Sequence, residues 1–147
     1  MLAQATADKL IAMNKKLIDC DFIETPGPNK EITINAISLN GNEDFLFNIS
    51  RGKIDIRKYK LQNRYNKIDI LLRLEIVPYN QFHINPDGNK IYGPHLHYYV
   101  EDYGDAWAKP YLKKFTNFSN YIEEFFKLCN VINIPNIQGR CDDEFFT

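Results

Sequence analysis

Alternation of apolar and polar residues with a period of two most constrains the fold of this chain. The clearest case is residues 66–77, where apolar side chains take every second position: Ile68, Ile70, Leu72, Leu74 and Ile76. Successive side chains of a strand point to opposite faces, so this pattern predicts a half-buried strand. Residues 31–36 and 44–49 alternate in the same way, and Asn40-Gly41-Asn42 between them predicts a tight turn. Short connections of this kind join antiparallel strands.

The remaining elements complete an α+β pattern. A third strand is predicted to open at Ile54 and Ile56 and to continue, after a shift of phase, through residues 59–61, and a fifth spans residues 94–101. Residues 78–93 read as a polar loop and residues 102–116 as irregular. Helical spacing of apolar residues predicts helices over residues 3–19 and 118–130, the second capped by Thr116 or Asn117. We therefore expect a single domain, residues 1–147, with an antiparallel meander of about five strands covered by an N-terminal and a C-terminal helix.

Composition excludes some classes of protein. The net charge is −1 and 44% of the residues are hydrophobic, as in ordinary globular domains. The sequence has neither an apolar run of about 20 residues nor the order of a signal peptide, so we expect a cytoplasmic protein without a membrane contact. The three cysteines, Cys20, Cys129 and Cys141, are too few and too far apart for a disulfide framework and are predicted to be free thiols.

Positive charge is concentrated in one segment. Residues 51–67 contain a single acidic residue, Asp55, and seven basic ones: Arg51, Lys53, Arg57, Lys58, Lys60, Arg64 and Lys67. Tyr59 and Tyr65 are interleaved with them, as rings and cations are in proteins that bind single-stranded nucleic acid. The segment is either a phosphate-facing surface or a solvated strand face that protects a sheet edge.

Two of the chain's three histidines lie in Pro94-His95-Leu96-His97-Tyr98-Tyr99-Val100. On a strand, His95, His97 and Tyr99 share one face, with the imidazoles ~6.6 Å apart along it. Histidine titrates near ~6.5 and can act as acid or base, so the pair suits metal-independent cleavage of RNA, with Tyr99 assisting. Arginine binds phosphate through two hydrogen bonds, so the candidate RNA-binding residues are Arg51, Arg57, Lys58, Lys60, Arg64 and Arg73. If strands 66–77 and 94–101 are neighbours, Arg73 faces the same way as the histidines.

Two other interpretations of the histidine motif stay open. The spacing His95-x-His97-x3-Glu101 looks like part of the first metal motif of cupins, but no histidine follows His97, and His83 lies upstream in the predicted loop. Paired histidines are also common as hydrogen-bonded structural residues of a sheet. A three-residue pattern discriminates weakly, so the sequence assigns neither a metal site nor a cofactor.

Several longer motifs carry a resemblance. The segments Arg51-Gly52-Lys53-Ile54-Asp55, Asn85-Pro86-Asp87-Gly88, Pro94-His95-Leu96-His97-x-Tyr99 and Tyr103-Gly104-Asp105-x-Trp107 resemble an uncharacterised bacterial or phage family, a domain of unknown function, over about residues 5–147. More remotely, the Pro-His-x-His stretch is similar to toxins of the TumE type, which belong to toxin–antitoxin modules and act on RNA. That similarity implies a catalytic role for His95, His97 and Tyr99.

Together these observations lead to two expectations for function. The first is a cytoplasmic, toxin-like protein that acts on RNA as a metal-independent ribonuclease and is neutralised by a partner protein. The second is a non-catalytic interaction or inhibitor protein of a phage or mobile element, in which the charged faces bind a target protein. Whether the chain is an enzyme at all, and in which oligomeric state it exists, is not encoded in any of these patterns.

Overall fold

The structure, a computed structural model, describes residues 1–140. Its helices are α1 (Gln4–Ala12) and α2 (Phe118–Leu128). Its strands are β1 (Lys15–Leu17), β2 (Phe22–Glu24), β3 (Glu31–Ser38), β4 (Asp44–Arg51), β5 (Tyr59–Tyr65), β6 (Asp69–Ile76), β7 (Phe82–Ile84), β8 (Lys90–Tyr92), β9 (His95–Val100), β10 (Gly104–Pro110) and β11 (Asn136–Gln138). The expected mixture of two helices and mostly antiparallel strands is confirmed.

The main sheet is larger than the sequence predicts. Residues 1–140 place seven strands in it, in the order β1-β3-β4-β5-β6-β9-β10, and every neighbouring pair is antiparallel. The five expected strands form its centre, and β1 and β10 extend its two edges. The strands β2 and β11 form a separate parallel pair, and β7 and β8 form a small hairpin.

The helix α2 packs on one face of the sheet. Its Phe126 lies edge to face against Phe47 of β4, with ring centroids 5.3 Å apart, and Phe118 stacks on Tyr59 of β5 at 3.6 Å. Asn117 caps the helix by accepting a hydrogen bond from the backbone N–H of Asn120. The predicted C-terminal helix and its cap are thereby confirmed. Five side chains of α2 are buried, and their burial contributes on the order of 10 kcal/mol of hydrophobic free energy. They are Phe118, Tyr121, Ile122, Phe125 and Phe126.

The N-terminal helix is shorter than expected. The prediction of a helix over residues 3–19 is wrong after Ala12, because Met13 is extended and residues 15–17 pair with residues 36–38 of β3. The apolar residues Leu10, Met13 and Leu17 have helical spacing, yet Leu17 is buried as a strand residue. The contacts that decide this lie at the edge of the sheet and at residues 130–132, whose backbone bonds to that of Lys15.

The segment before β5 is a loop. Ile54 is fully exposed, so the expectation that it opens a strand is wrong. The loop closes where the N–H of Gly52 donates to the carbonyl of Lys58 over 2.8 Å. A Cβ at Gly52 would lie 2.3 Å from the carbonyl oxygen of Asp55, so this turn requires glycine. We call residues 51–58 the basic loop.

Two segments that read as loops contain strands. Residues 78–93 hold the β7–β8 hairpin, whose turn closes at Asn85 and Gly88 as its sequence predicts. Residues 102–116 hold β10. The side chain of Asn85 joins the two, because its amide donates to the carbonyl of Ala108 over 2.9 Å and its oxygen accepts from the N–H of Ala108 over 2.8 Å.

The prediction of free thiols is confirmed for the two cysteines within the described residues. Cys20 and Cys129 are free thiols, and Cys129 is fully buried at the end of α2. Cys141 lies outside the described residues.

Candidate functional site

The pairing of β6 with β9 places charged residues beside the histidines. Glu75 lies directly opposite His95, and Arg73 lies directly opposite His97. Opposed residues of an antiparallel pair project from the same face of the sheet. The prediction that Arg73 and the two histidines share one face is confirmed.

All three histidines of the chain meet at this point. His83, on β7, brings its ring centroid to 4.5 Å from that of His97, and the rings of His95 and His97 are 4.9 Å apart. One nitrogen from each imidazole lies within 4.8 Å of the others. The Nε2 atom of His83 contacts the carbonyl of Ala106 at 2.8 Å, and burial lowers the pKa of His83. We call these three residues the histidine cluster.

Both ring nitrogens of His95 and His97 face hydrogen-bond acceptors. The Nδ1 atoms lie 2.8 Å from the carbonyl oxygens of Gly93 and Asp105, respectively. The Nε2 atoms converge on one carboxylate oxygen, Oε2 of Glu75, at 2.9 Å from His95 and 3.4 Å from His97. A carbonyl only accepts, so Nδ1 carries the proton in each ring and Nε2 is the variable atom.

An ion-pair network surrounds the cluster. Burial raises the pKa of Glu75, but its bonds with His95 and His97 and the charge of Arg73 outweigh burial and hold that pKa far below its usual range. The guanidinium of Arg73 pairs with Asp105 and lies 3.5 Å from Glu75, from Nε to Oε1. With neutral imidazoles, the one arginine and two carboxylates leave this group with a net charge of −1.

The histidine rings are enclosed. His95 is 2% exposed and His97 is 0% exposed, so neither imidazole is open to solvent. The β7–β8 hairpin brings His83 against them, and the guanidinium of Arg73 lies 3.3 Å from Nε2 of His97. The enclosure is polar, and sequence spacing alone did not reveal it because its cover comes from a separate segment.

A cavity of about 380 Å³ joins the histidine cluster to the basic loop. The lysines Lys58 and Lys60 line it together with Glu75 and His95. The full lining is Ser50, Arg51, Gly52, Lys58, Tyr59, Lys60, Glu75, Val77, Gln81, Phe82, His83 and His95. Part of the basic segment therefore does lie beside the histidines.

The other candidate residues are more scattered. Arg51 is buried, and its Nε donates to the carbonyl of Ile56 over 2.6 Å. Arg57 points outward and pairs with Asp55 at 3.1 Å. Arg64 donates to the side chain of Asn48 over 3.0 Å.

Tyr99 is also held apart from the cluster. Its hydroxyl donates to the carbonyl of Leu2, ahead of α1, over 2.6 Å. Glu101, the carboxylate of the cupin-like spacing, accepts from the backbone N–H of Gln4 over 2.7 Å. Glu75 of the neighbouring strand bonds to the histidines instead.

Sequence reasoning missed several groups of this site. Glu75 was not singled out as a partner of the histidines, although it lies two residues from Arg73 on the same strand face. Asp102 and Asp105 were expected to orient a histidine, and of the two it is the backbone carbonyl of Asp105 that contacts His97. The hairpin carries two exposed aromatic residues, Phe82 and Tyr92, at 45% and 53% exposure with ring centroids 5.3 Å apart. The alternation of apolar and polar residues in Phe82-His83-Ile84 was the sequence signal that could have predicted this strand.

Within residues 1–140, neither helix has the length and apolar composition needed to cross a bilayer.

Comparison with known proteins identifies the family of this chain but no characterised relative. No curated protein and no solved structure matches the chain, so the similarity to TumE-type toxins finds no support. Residues 2–134 match the model of a family of unknown function, DUF6978. The match covers most of the chain, and the protein therefore belongs to the DUF6978 family.

Proposed function

We propose that this protein acts on RNA and holds the backbone of a single strand in the cavity between the basic loop and the histidine cluster. The observation that carries the proposal is the composition of that cavity, which combines Lys58 and Lys60 with Glu75, His83 and His95. Cytoplasmic RNA is the polyanion that such a site would meet.

The two lysines supply the affinity for phosphate. Lys60 lies opposite Glu75 in the β5–β6 register, and within the described chain neither Lys58 nor Lys60 forms an ion pair. A cation without a protein partner is available to replace the counterions of a phosphate backbone. Binding through such contacts weakens steeply as salt increases.

Aromatic rings next to the cavity supply a place for bases. Phe82 lines the cavity, and Tyr92 lies beside it on the same hairpin. Stacking of a base on an exposed ring contributes about 1–3 kcal/mol and depends little on the identity of the base. Cations and exposed rings together favour a single strand over a duplex, whose bases are not open to stacking.

Cleavage of the bound strand is the second part of the proposal. A phosphodiester held by Lys58 and Lys60 would lie against Glu75 and His95 on the cavity wall. A toxin-like role, with a partner protein that blocks the cavity, follows naturally from such an activity and stays part of the proposal.

The test is binding of a fluorescent single-stranded RNA by anisotropy, followed by cleavage of the same RNA. Lys58→Glu/Lys60→Glu should weaken binding at least tenfold and flatten its salt dependence. The matched control is Lys9→Glu/Lys16→Glu, which makes the same charge change at exposed residues of α1 and β1. Equal loss in both double variants would mean that only overall charge matters, and the cavity would then have no part in binding.

A non-catalytic interaction protein is the second candidate. The observation in its favour is the apolar surface of the hairpin, where Phe82, Ile84 and Tyr92 are each about half exposed. Phe82→Ala/Tyr92→Ala separates the two candidates. It weakens RNA binding if the rings stack on bases, and it leaves RNA binding unchanged if the rings contact a protein.

A further inference from the structure

Two histidines of the cluster direct a ring nitrogen at the same carboxylate. His95 and His97 each present Nδ1 to a backbone carbonyl and Nε2 to the oxygen Oε2 of Glu75. Because a carbonyl only accepts, the proton of a neutral ring lies on Nδ1 and the lone pair on Nε2. The guanidinium of Arg73, 3.3 Å from Nε2 of His97, can donate to that lone pair when no ion is bound.

A metal ion satisfies the same contacts with neutral rings. It would take the Nε2 lone pairs of His95 and His97 and an oxygen of Glu75, while the Nδ1 protons remain on the two carbonyls. Metal-binding histidines usually donate their second nitrogen to a carbonyl or carboxylate in this way. With neutral imidazoles the surrounding arginine and two carboxylates carry a net charge of −1, which attracts a cation.

We propose that His83, His95 and His97, with Glu75 as a fourth ligand, form a binding site for a divalent transition-metal ion of the zinc class. Three imidazole nitrogens and one carboxylate oxygen suit zinc and its neighbours, whereas magnesium and calcium prefer oxygen alone. This inference stands independently of RNA binding.

The three histidine nitrogens would have to move slightly closer together to bind such an ion. One nitrogen from each histidine lies within 4.8 Å of the others, and zinc–nitrogen bonds of about 2.0–2.1 Å place tetrahedral ligand nitrogens roughly 3.3 Å apart. His83 is the ligand that can move, since it is only partly buried and lies on the short β7–β8 hairpin. Glu75, His83 and His95 also line the cavity, so the ion would lie next to it.

The experiment uses the full chain, purified without a histidine tag and stripped with a chelator. Cobalt(II) is titrated first, because its visible absorption reports four-coordinate nitrogen and oxygen ligands, and zinc is then added as a competitor. We expect one ion per chain and displacement of cobalt by zinc. His83→Gln and His97→Gln should each lower the affinity for cobalt at least tenfold.

Two controls distinguish metal binding at the cluster from binding at a thiol and from loss of the fold. Cys20→Ser removes a partly buried thiol outside the cluster and should bind cobalt as the wild-type chain does. If His97→Gln fails to fold, as circular dichroism would show, His83→Gln decides the question, because its side chain is partly exposed on the hairpin. Absence of one-to-one binding, or equal affinity in folded His83→Gln, would overturn the proposal. RNA binding measured with chelator present reports on the proposed function alone.

Discussion

Two buried polar regions of this protein differ in what their polar atoms face. Lys15 on β1 is 0% exposed, and its ammonium donates to the carbonyls of Ile11, Met13 and Cys129 at 3.1, 2.9 and 2.8 Å. Three donors meet three acceptors, so that site is complete within the chain. In the histidine cluster, nitrogens of three imidazoles lie close together, and two of them face the carboxylate of Glu75. The first arrangement stabilises the fold, whereas the second contains the donor atoms of the metal site that we propose.

Removing the charge of Lys15 is the strongest test of the claim that its three hydrogen bonds stabilise the fold. Lys15→Met leaves three buried carbonyls without a donor, and we expect the free energy of unfolding to fall by about 3 kcal/mol. Urea denaturation measures it. Lys16→Met, at the next and exposed position of β1, is the control and should change stability by less than about 0.5 kcal/mol. Similar values for both would show that the three hydrogen bonds contribute little.

The pH dependence tests the same residue. Burial lowers the pKa of Lys15 from 10.5 to about 8 in the folded chain. Between these values the unfolded chain binds more protons than the folded chain, so this residue makes stability rise with pH through the window. Relative to Lys15→Met, the wild-type free energy of unfolding should increase by up to about 3 kcal/mol from pH 8 to pH 10.5. A flat difference across this range would contradict the burial effect.

Zinc should act on the other region only. At a free zinc concentration of about 100 times its dissociation constant, the wild-type chain should gain about 2.7 kcal/mol of stability. Lys15→Met should gain the same amount, because its cluster is intact, and His83→Gln should gain little. Loss of the increment in Lys15→Met would mean that the two regions are coupled.

The smallest effect is expected at the cavity mouth. Lys58→Glu/Lys60→Glu breaks no ion pair of the described chain but sets a carboxylate at position 60 opposite Glu75, so the free energy of unfolding should fall by at most about 1 kcal/mol. Thermal unfolding with and without zinc provides the measurement. A larger loss of stability would mean that these lysines stabilise the fold. Weaker RNA binding by this variant could then not be attributed to lost phosphate contacts.

Local signals predicted the parts of the fold that depend on local physics. The hairpin of β3 and β4 followed from alternation around Asn40-Gly41-Asn42, and the start of α2 followed from Asn117 and its aromatic stripe. The failure at residues 13–19 depends on distant partners. Lys15 is a strand residue because it pairs with Ser38 and its backbone N–H donates to the carbonyl of Asn130, far from its own sequence neighbours.

The candidate site was likewise predictable only where it depends on local spacing. The shared face of His95 and His97 follows from spacing, and Arg73 lies beside them because β6 and β9 are neighbours, the condition on which the sequence placed it there. His83 and Glu75 come from other segments, and no local pattern connects them to the pair. The hairpin with His83 and the guanidinium of Arg73 together enclose the rings, so their burial could not be derived from the histidine strand alone.

The side chain of Asn85 also protects the molecule from its own copies. By engaging both the amide and the carbonyl of Ala108, it occupies groups on the edge strand β10 that an incoming strand would use. The hairpin that delivers His83 thus also blocks edge-to-edge association at this point. A substitution that loosens the hairpin would therefore open the histidine pocket and expose a template for aggregation at the same time.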